Sequence, residues 1–78
     1  MTTDVRLFAA AAAAAGTPST TTTAPTLTAL QTDLIDRFPG IAPVLLRCSF
    51  LVDGLVAQQD VPLDGAATVD VLPPFAGG

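Results

Sequence analysis

The sequence predicts an α+β domain in which a mixed sheet packs against one main helix. Three observations carry that expectation. Residues 27–38 show the apolar spacing of an amphipathic helix. Several shorter stretches, the first at residues 5–8 and the last at 68–72, have the alternation and β-branched content of strands. A chain of 78 residues has room for one small core, so these elements must share it.

Taken in order, Val5-Arg6-Leu7-Phe8 alternates briefly and then runs into apolar chain, as a strand entering a core does. Alanine then fills positions 9–15 and stops at Gly16, with Pro18 just beyond. Alanine has the highest helix propensity, and glycine followed by proline is a stop signal, so one or two helical turns capped at Gly16 are expected. So short a helix does not hold alone in water, and packing must support it. The threonines at 20–23 resist helix and favour a half-exposed strand, with a polar linker as the alternative. Thr26 is a good N-cap. Behind it Leu27, Leu30, Leu34, Ile35 and Phe38 form one apolar stripe, and Pro39-Gly40 ends the helix. Residues 41–46 are apolar but interrupted by Pro43, which reads as a loop or one turn of helix. Residues 48–52 read as a strand, Asp53-Gly54 as a hairpin turn, and 55–57 as the returning strand. A second turn region covers 61–65. The last strand, 68–72, sets Val69 and Val71 on one face and Asp70 on the other. A ubiquitin-like β-grasp satisfies this order over residues 1–72, leaving 73–78 as an extended, flexible C-terminal tail.

Composition narrows the chemistry. Half the residues are hydrophobic, so the chain is not disordered by composition. Cys48 is the only cysteine, which rules out an internal disulfide, and there is no histidine for an ordinary zinc site or a His-based dyad. No bound cofactor or metal is expected. Every acid is an aspartate, lysine is absent, and the cations are Arg6, Arg37 and Arg47, for a net charge of -4. Such a surface repels nucleic acid and anionic membranes, so neither is expected as a partner, and a protein partner should present a basic surface. The start lacks the basic region of a signal peptide, and the alanine run is too short and too weakly apolar to span a bilayer. With the unpaired cysteine, this points to the cytoplasm. For Cys48, simple packing is favoured over a role as a persulfide carrier. Residues 50–56 fit either core or a docking face.

After Leu72 the character changes. Pro73-Pro74 cannot donate ladder hydrogen bonds, so the sheet must stop, and two prolines stiffen the chain in a polyproline-like direction away from the body. The six residues that remain reach about 20 Å when extended, enough to enter a neighbouring active site. Phe75 fits as an anchor for a partner's pocket. Ala76, Gly77 and Gly78 then thread a narrow channel without obstruction. The carboxylate of Gly78 is the one reactive group that this tail presents. A carboxylate is a poor electrophile and must first be activated, for which adenylation by ATP is the usual chemistry.

Four stretches then carry a resemblance: Val5-Arg6-Leu7-Phe8-Ala9, residues 47–54, Leu63-Asp64-Gly65, and above all Val69-Asp70-Val71-Leu72-Pro73-Pro74-Phe75-Ala76-Gly77-Gly78. The sequence resembles the MoaD/ThiS family of ubiquitin-like sulfur carriers. Its Pro-Pro pair favours the branch that serves as small subunit of molybdopterin synthase. The resemblance implies that an E1-like adenylating enzyme uses ATP to couple Gly78 to AMP and that a sulfurtransferase converts it to a thiocarboxylate. It also implies that the tail, Pro73 to Gly78, enters the synthase large subunit and gives its sulfur to cyclic pyranopterin monophosphate in molybdenum cofactor biosynthesis. On that reading the chain is no enzyme by itself; Gly78 is the sulfur donor, and the large subunit holds the catalytic residues. Two other uses of the same tail stay open. One is sulfur donation in another pathway (thiazole, cysteine or a secondary metabolite). The other is a ubiquitin-like modifier joined through Gly78 to target lysines.

Overall fold

The computed structural model describes residues 2–64 and 68–74. Strand β1 (Thr3–Leu7) alternates strictly, with Val5 and Leu7 inward and Asp4 and Arg6 outward. It lies parallel to β5 (Thr68–Leu72) at the centre of the sheet, with Val5 opposite Val69 and Leu7 opposite Val71. On one side β2 (Ser19–Thr22) pairs antiparallel with β1. On the other, β3 (Ser49–Val52) pairs antiparallel with β5, and β4 (Leu55–Ala57) with β3. The order among the described residues is β2-β1-β5-β3-β4. The threonine run is thus an edge strand, where β-branched polar side chains pack and stay half wet.

Helix α1 (Ala10–Ala15) buries Ala11 and ends at Gly16, whose left-handed φ of 76° lets its N–H reach the Ala12 carbonyl. The main helix, α2 (Leu27–Arg37), is capped by Thr26, whose Oγ1 accepts from the Ala29 N–H at 3.1 Å. Its first turn is also held from outside. Asp60 Oδ1 accepts from the Thr28 N–H at 2.8 Å, and the Val61 carbonyl accepts from the Leu27 N–H at 2.9 Å. Asp60 and Val61, the second of them expected only as part of a turn, therefore finish the helix N-terminus. Leu27, Leu30 and Leu34 face the sheet and are buried. Ile35, placed on the same stripe by spacing, is instead 37% exposed. It sits one residue, about 100° of helix rotation, beyond Leu34, and the sheet covers only the narrower face.

Residues 39–45 are helical rather than loop. A short 3₁₀ turn (Pro39–Ile41) leads into α3 (Ala42–Leu45), and both begin with a proline in the first turn, where a missing N–H costs nothing. Ile41 and Leu45 join the core. The fully buried Val5, Leu30, Leu34, Ile41, Val69 and Val71 hold helix to sheet, each contributing about 1.5–3 kcal/mol of burial.

The hairpin forms as expected. Asp53 (φ 49°) and Gly54 (φ 85°) both take the left-handed conformation that a tight two-residue turn demands. Asp70 faces away from the hydrophobic core, as expected, yet it is only 8% exposed, because Arg6 lies directly across the parallel pair and covers it. Nε of Arg6 donates to Oδ1 of Asp70 at 2.6 Å and Nη2 to Oδ2 at 2.9 Å. This bidentate pair raises the Arg6 pKa further above its ordinary value, the hydrogen bonds mattering most.

Candidate functional site

Because β1 and β5 run parallel with Leu7 beside Val71, the chain leaving β1 and the chain leaving β5 emerge at the same end of the sheet. Phe8 continues the register by donating its N–H to the Val71 carbonyl at 3.2 Å. Ala9 and Ala10 on one side and Pro73 and Pro74 on the other then flank a groove of about 360 Å³. Pro43, Val44 and Arg47 from α3 and its exit form the rest of the wall. The lining is carbon, apart from the Arg47 guanidinium and the backbone.

Local sequence explains each wall. Ala9 has φ 51° and ψ −123°, and the Ala11 N–H returns to the Phe8 carbonyl at 3.0 Å, so the chain reverses sharply into α1. That conformation is ordinarily glycine's, and an alanine held there stores about 1–3 kcal/mol. At the end of α3 the Arg47 N–H reaches the Val44 carbonyl at 3.0 Å, and Cys48 Sγ donates to the same carbonyl at 3.2 Å. Cys48 therefore precedes β3 and is half-buried, and burial raises its pKa, which keeps it a thiol.

Of the residues expected in the tail, Pro73 and Pro74 are described, and Phe75, Ala76, Gly77 and Gly78 lie outside the described residues. β5 ends at Leu72, opposite Ser49. Pro73 is buried and the chain turns at Pro74, so the proline pair does not run straight away from the body as expected. A proline at this position has no N–H to leave unsatisfied, so it can be buried where the ladder stops.

The three arginines differ. Arg6 is tied to Asp70. Arg37 donates to Asp33 Oδ2 at 2.9 Å, Thr20 Oγ1 at 2.8 Å and the Thr21 carbonyl at 2.9 Å. Arg47 has no carboxylate partner among the described residues, although it is exposed at the groove. Leu55 and Val56 on the hairpin and Leu46 at the end of α3 are 75%, 61% and 89% exposed, so the 50–56 stretch divides: Phe50 is core, and Leu55 and Val56 are surface. No cluster of ligands able to hold a metal ion occurs among the described residues, and none of their helices is long and apolar enough to cross a membrane.

Sequence reasoning singled out Pro73 and Pro74 but missed the groove that they wall. The missing signal was the parallel pairing of β1 with β5, which brings Ala9 beside Pro73 across a long stretch of sequence. No local periodicity encodes that.

Comparison with known proteins places this geometry. Residues 5–78 match the ThiS family, and the chain belongs to it: it is a ubiquitin-like sulfur carrier of a family whose members do not themselves catalyse the transfer. No curated protein matches the chain by sequence. Among solved structures, it is similar to small archaeal modifier protein 1 (SAMP1) of Methanosarcina acetivorans, with a TM-score of 0.76 and 22% identity over 99% of this chain and 96% of that one. It is also similar to SAMP1 of Haloferax volcanii, with a TM-score of 0.73 and 19% identity over the whole of both chains. A third similar structure is the Haloferax volcanii HVO 2177 protein, with a TM-score of 0.70 and 24% identity over all of this chain and 87% of that one. At these identities the likeness shows the fold, which is the expected β-grasp.

Proposed function

From that membership, we propose that the chain carries sulfur as a thiocarboxylate on Gly78, formed after an E1-like enzyme adenylates the terminal carboxylate with ATP. The observation that carries the proposal is that the family match extends through residue 78 and so includes the Gly-Gly end. Pro73 to Gly77 serve as the arm that presents it. A sulfurtransferase's persulfide displaces AMP from the acyl adenylate to give an acyl disulfide. A second thiol cleaves this to the thiocarboxylate and a disulfide, and the sulfur later leaves to an acceptor held by a partner protein. The place of action is the cytoplasm.

The acceptor is proposed more broadly than the Pro-Pro pair suggests. That pair has work to do inside this chain, since Pro73 is buried where β5 ends and both prolines wall a groove. It therefore does not by itself require the large subunit of molybdopterin synthase. A sulfur carrier for another pathway fits equally, and the fold-level likeness to two proteins named as modifiers favours a second reading, conjugation through Gly78. In that case the chain is a donor only, because without lysine it offers no side-chain amine on which to extend a chain of itself.

The test is to divide thiocarboxylated protein between acceptors. One portion meets a molybdopterin synthase large subunit with cyclic pyranopterin monophosphate, another a thiazole- or cysteine-forming system, and a third the host's own extract with ATP. Molybdopterin formed only in the first restores the narrower branch. Sulfur transferred in the second supports the broader carrier. Gly-Gly remnants on target lysines in the third, with no sulfur transferred in the first two, overturn the carrier reading in favour of conjugation.

A further inference from the structure

The groove at the tail root is apolar, is walled by the two residues that begin the tail, and has an arginine at its rim. Phe75, Ala76, Gly77 and Gly78 come directly after that wall in the chain. We infer that this groove is the resting seat of the chain's own tail, with the Phe75 ring against Ala9, Ala10 and Val44 and the Gly78 carboxylate paired with Arg47. Four observations on the body support this occupant. The chain turns at Pro74, so the strand direction of β5 imposes no outward course on the tail. The remaining residues span up to about 13 Å, enough for Gly78 to reach a guanidinium at the rim while Phe75 occupies the groove. Arg47 is the cation without a carboxylate partner among the described residues, on a chain with net charge -4, and the C-terminus supplies one more carboxylate. Finally, Ala9 and Ala10 bring only methyl groups to the wall, which leaves the space that a phenyl ring takes.

The seat has a consequence for the reactive end. A carboxylate and a thiocarboxylate carry the same charge, so Arg47 holds either one, and the loaded carrier is held back from stray nucleophiles. An acyl adenylate removes the charge from the glycine carboxyl itself, so activation requires the tail to be withdrawn first. The E1-like enzyme therefore competes with the groove for Phe75.

This inference concerns the same Gly78 site and rests on the carrier reading for its purpose, but its test needs no partner enzyme. Isotope-labelled full-length chain is compared by NMR with a chain ending at Pro74. β1 and β5 cross-peaks, unchanged between the two, confirm that both fold. The seat predicts contacts from the Phe75 ring to the methyls of Ala9, Ala10 and Val44 in the full chain, and ring-current displacement of those methyls that vanishes on truncation. It also predicts that Arg47→Gln raises the pKa of the Gly78 carboxyl by roughly half a unit, the scale of an exposed ion pair. Identical methyl shifts in the two chains overturn the seat. Displacements that fade on dilution also overturn it, because they put a second copy's tail in the groove. An unmoved Gly78 titration overturns the role of Arg47. A filled groove with no sulfur ever found on Gly78 instead defeats the carrier reading, so the two failures are distinct.

Discussion

The two ends of β5 are finished in opposite ways. At its start, Asp53 clamps Thr68 twice, donating its N–H to the Thr68 carbonyl at 2.8 Å and accepting the Thr68 N–H on Oδ1 at 2.9 Å. At its end the last pair is Leu72 with Ser49, and Pro73 is then buried with no N–H to satisfy. One end is closed by a two-bond clamp, and at the other the Phe8 N–H to Val71 carbonyl bond and the buried Pro73 finish the strand. The contrast explains how a β-grasp presents a reactive terminus. The described ladder ends at Leu72, and the next residue, Pro73, has no N–H to offer it.

Between those ends, the middle of the strand carries the largest expected effect. Val71→Ala removes two methyl groups from a fully buried site and is expected to cost about 2 kcal/mol, a large share of the few kcal/mol that a domain this size commands. Urea denaturation followed by far-UV circular dichroism measures it, and a loss under half that value would mean that the core closes over the gap. At the clamped end, Asp53→Ala removes one side-chain acceptor and a residue tolerant of left-handed φ, for an expected loss of about 1–2 kcal/mol in the same assay. If this substitution were neutral, the two ends would not differ as described.

At the open end the expected sign reverses. Ala9→Gly places a residue indifferent to φ 51° where alanine is strained, and should raise stability by about 0.5–1 kcal/mol after the added flexibility of the unfolded chain is discounted. A destabilised variant would show that the turn into α1 holds no strain. The smallest effect is at Cys48. Burial raises its folded pKa, so the stability tied to its neutral form is present below the unfolded value of about 8.5 and is lost as pH rises through the folded value. Its alkylation rate should accordingly rise at higher pH than that of a free thiol. A midpoint at or below the free-thiol value would contradict the burial.

How much of this was legible in the sequence depends on range. The capped helix behind Thr26, the Asp53-Gly54 hairpin and the Gly16 stop are each written in a few adjacent residues, and each forms where expected. Features made by distant pairing were not legible. Alternation correctly puts Asp70 on the face away from the core, but its cover is Arg6, which sequence separates from it by most of the chain. Likewise Ala9, Val44 and Pro73 meet only because β1 and β5 are parallel and α3 folds back over their ends. The tail stands apart. Pro73 and Pro74 are described, but Phe75 to Gly78 lie outside the described residues. What their letters suggest stays a reading of the sequence, which does not name the acceptor.

The carrier reading stands or falls on whether sulfur is loaded onto Gly78. The direct measurement is the mass of the C-terminal peptide after the protein is incubated with an E1-like enzyme, ATP and a sulfurtransferase with its sulfur source. One oxygen should be replaced by one sulfur on the fragment containing Gly78, and no replacement should occur in a chain lacking Gly78 with unchanged thermal stability. Working on the peptide matters, because oxidation of Met1 or Cys48 adds an oxygen and gives nearly the same whole-protein mass change. A sulfur found on Cys48 with Gly78 unaltered would contradict the assignment.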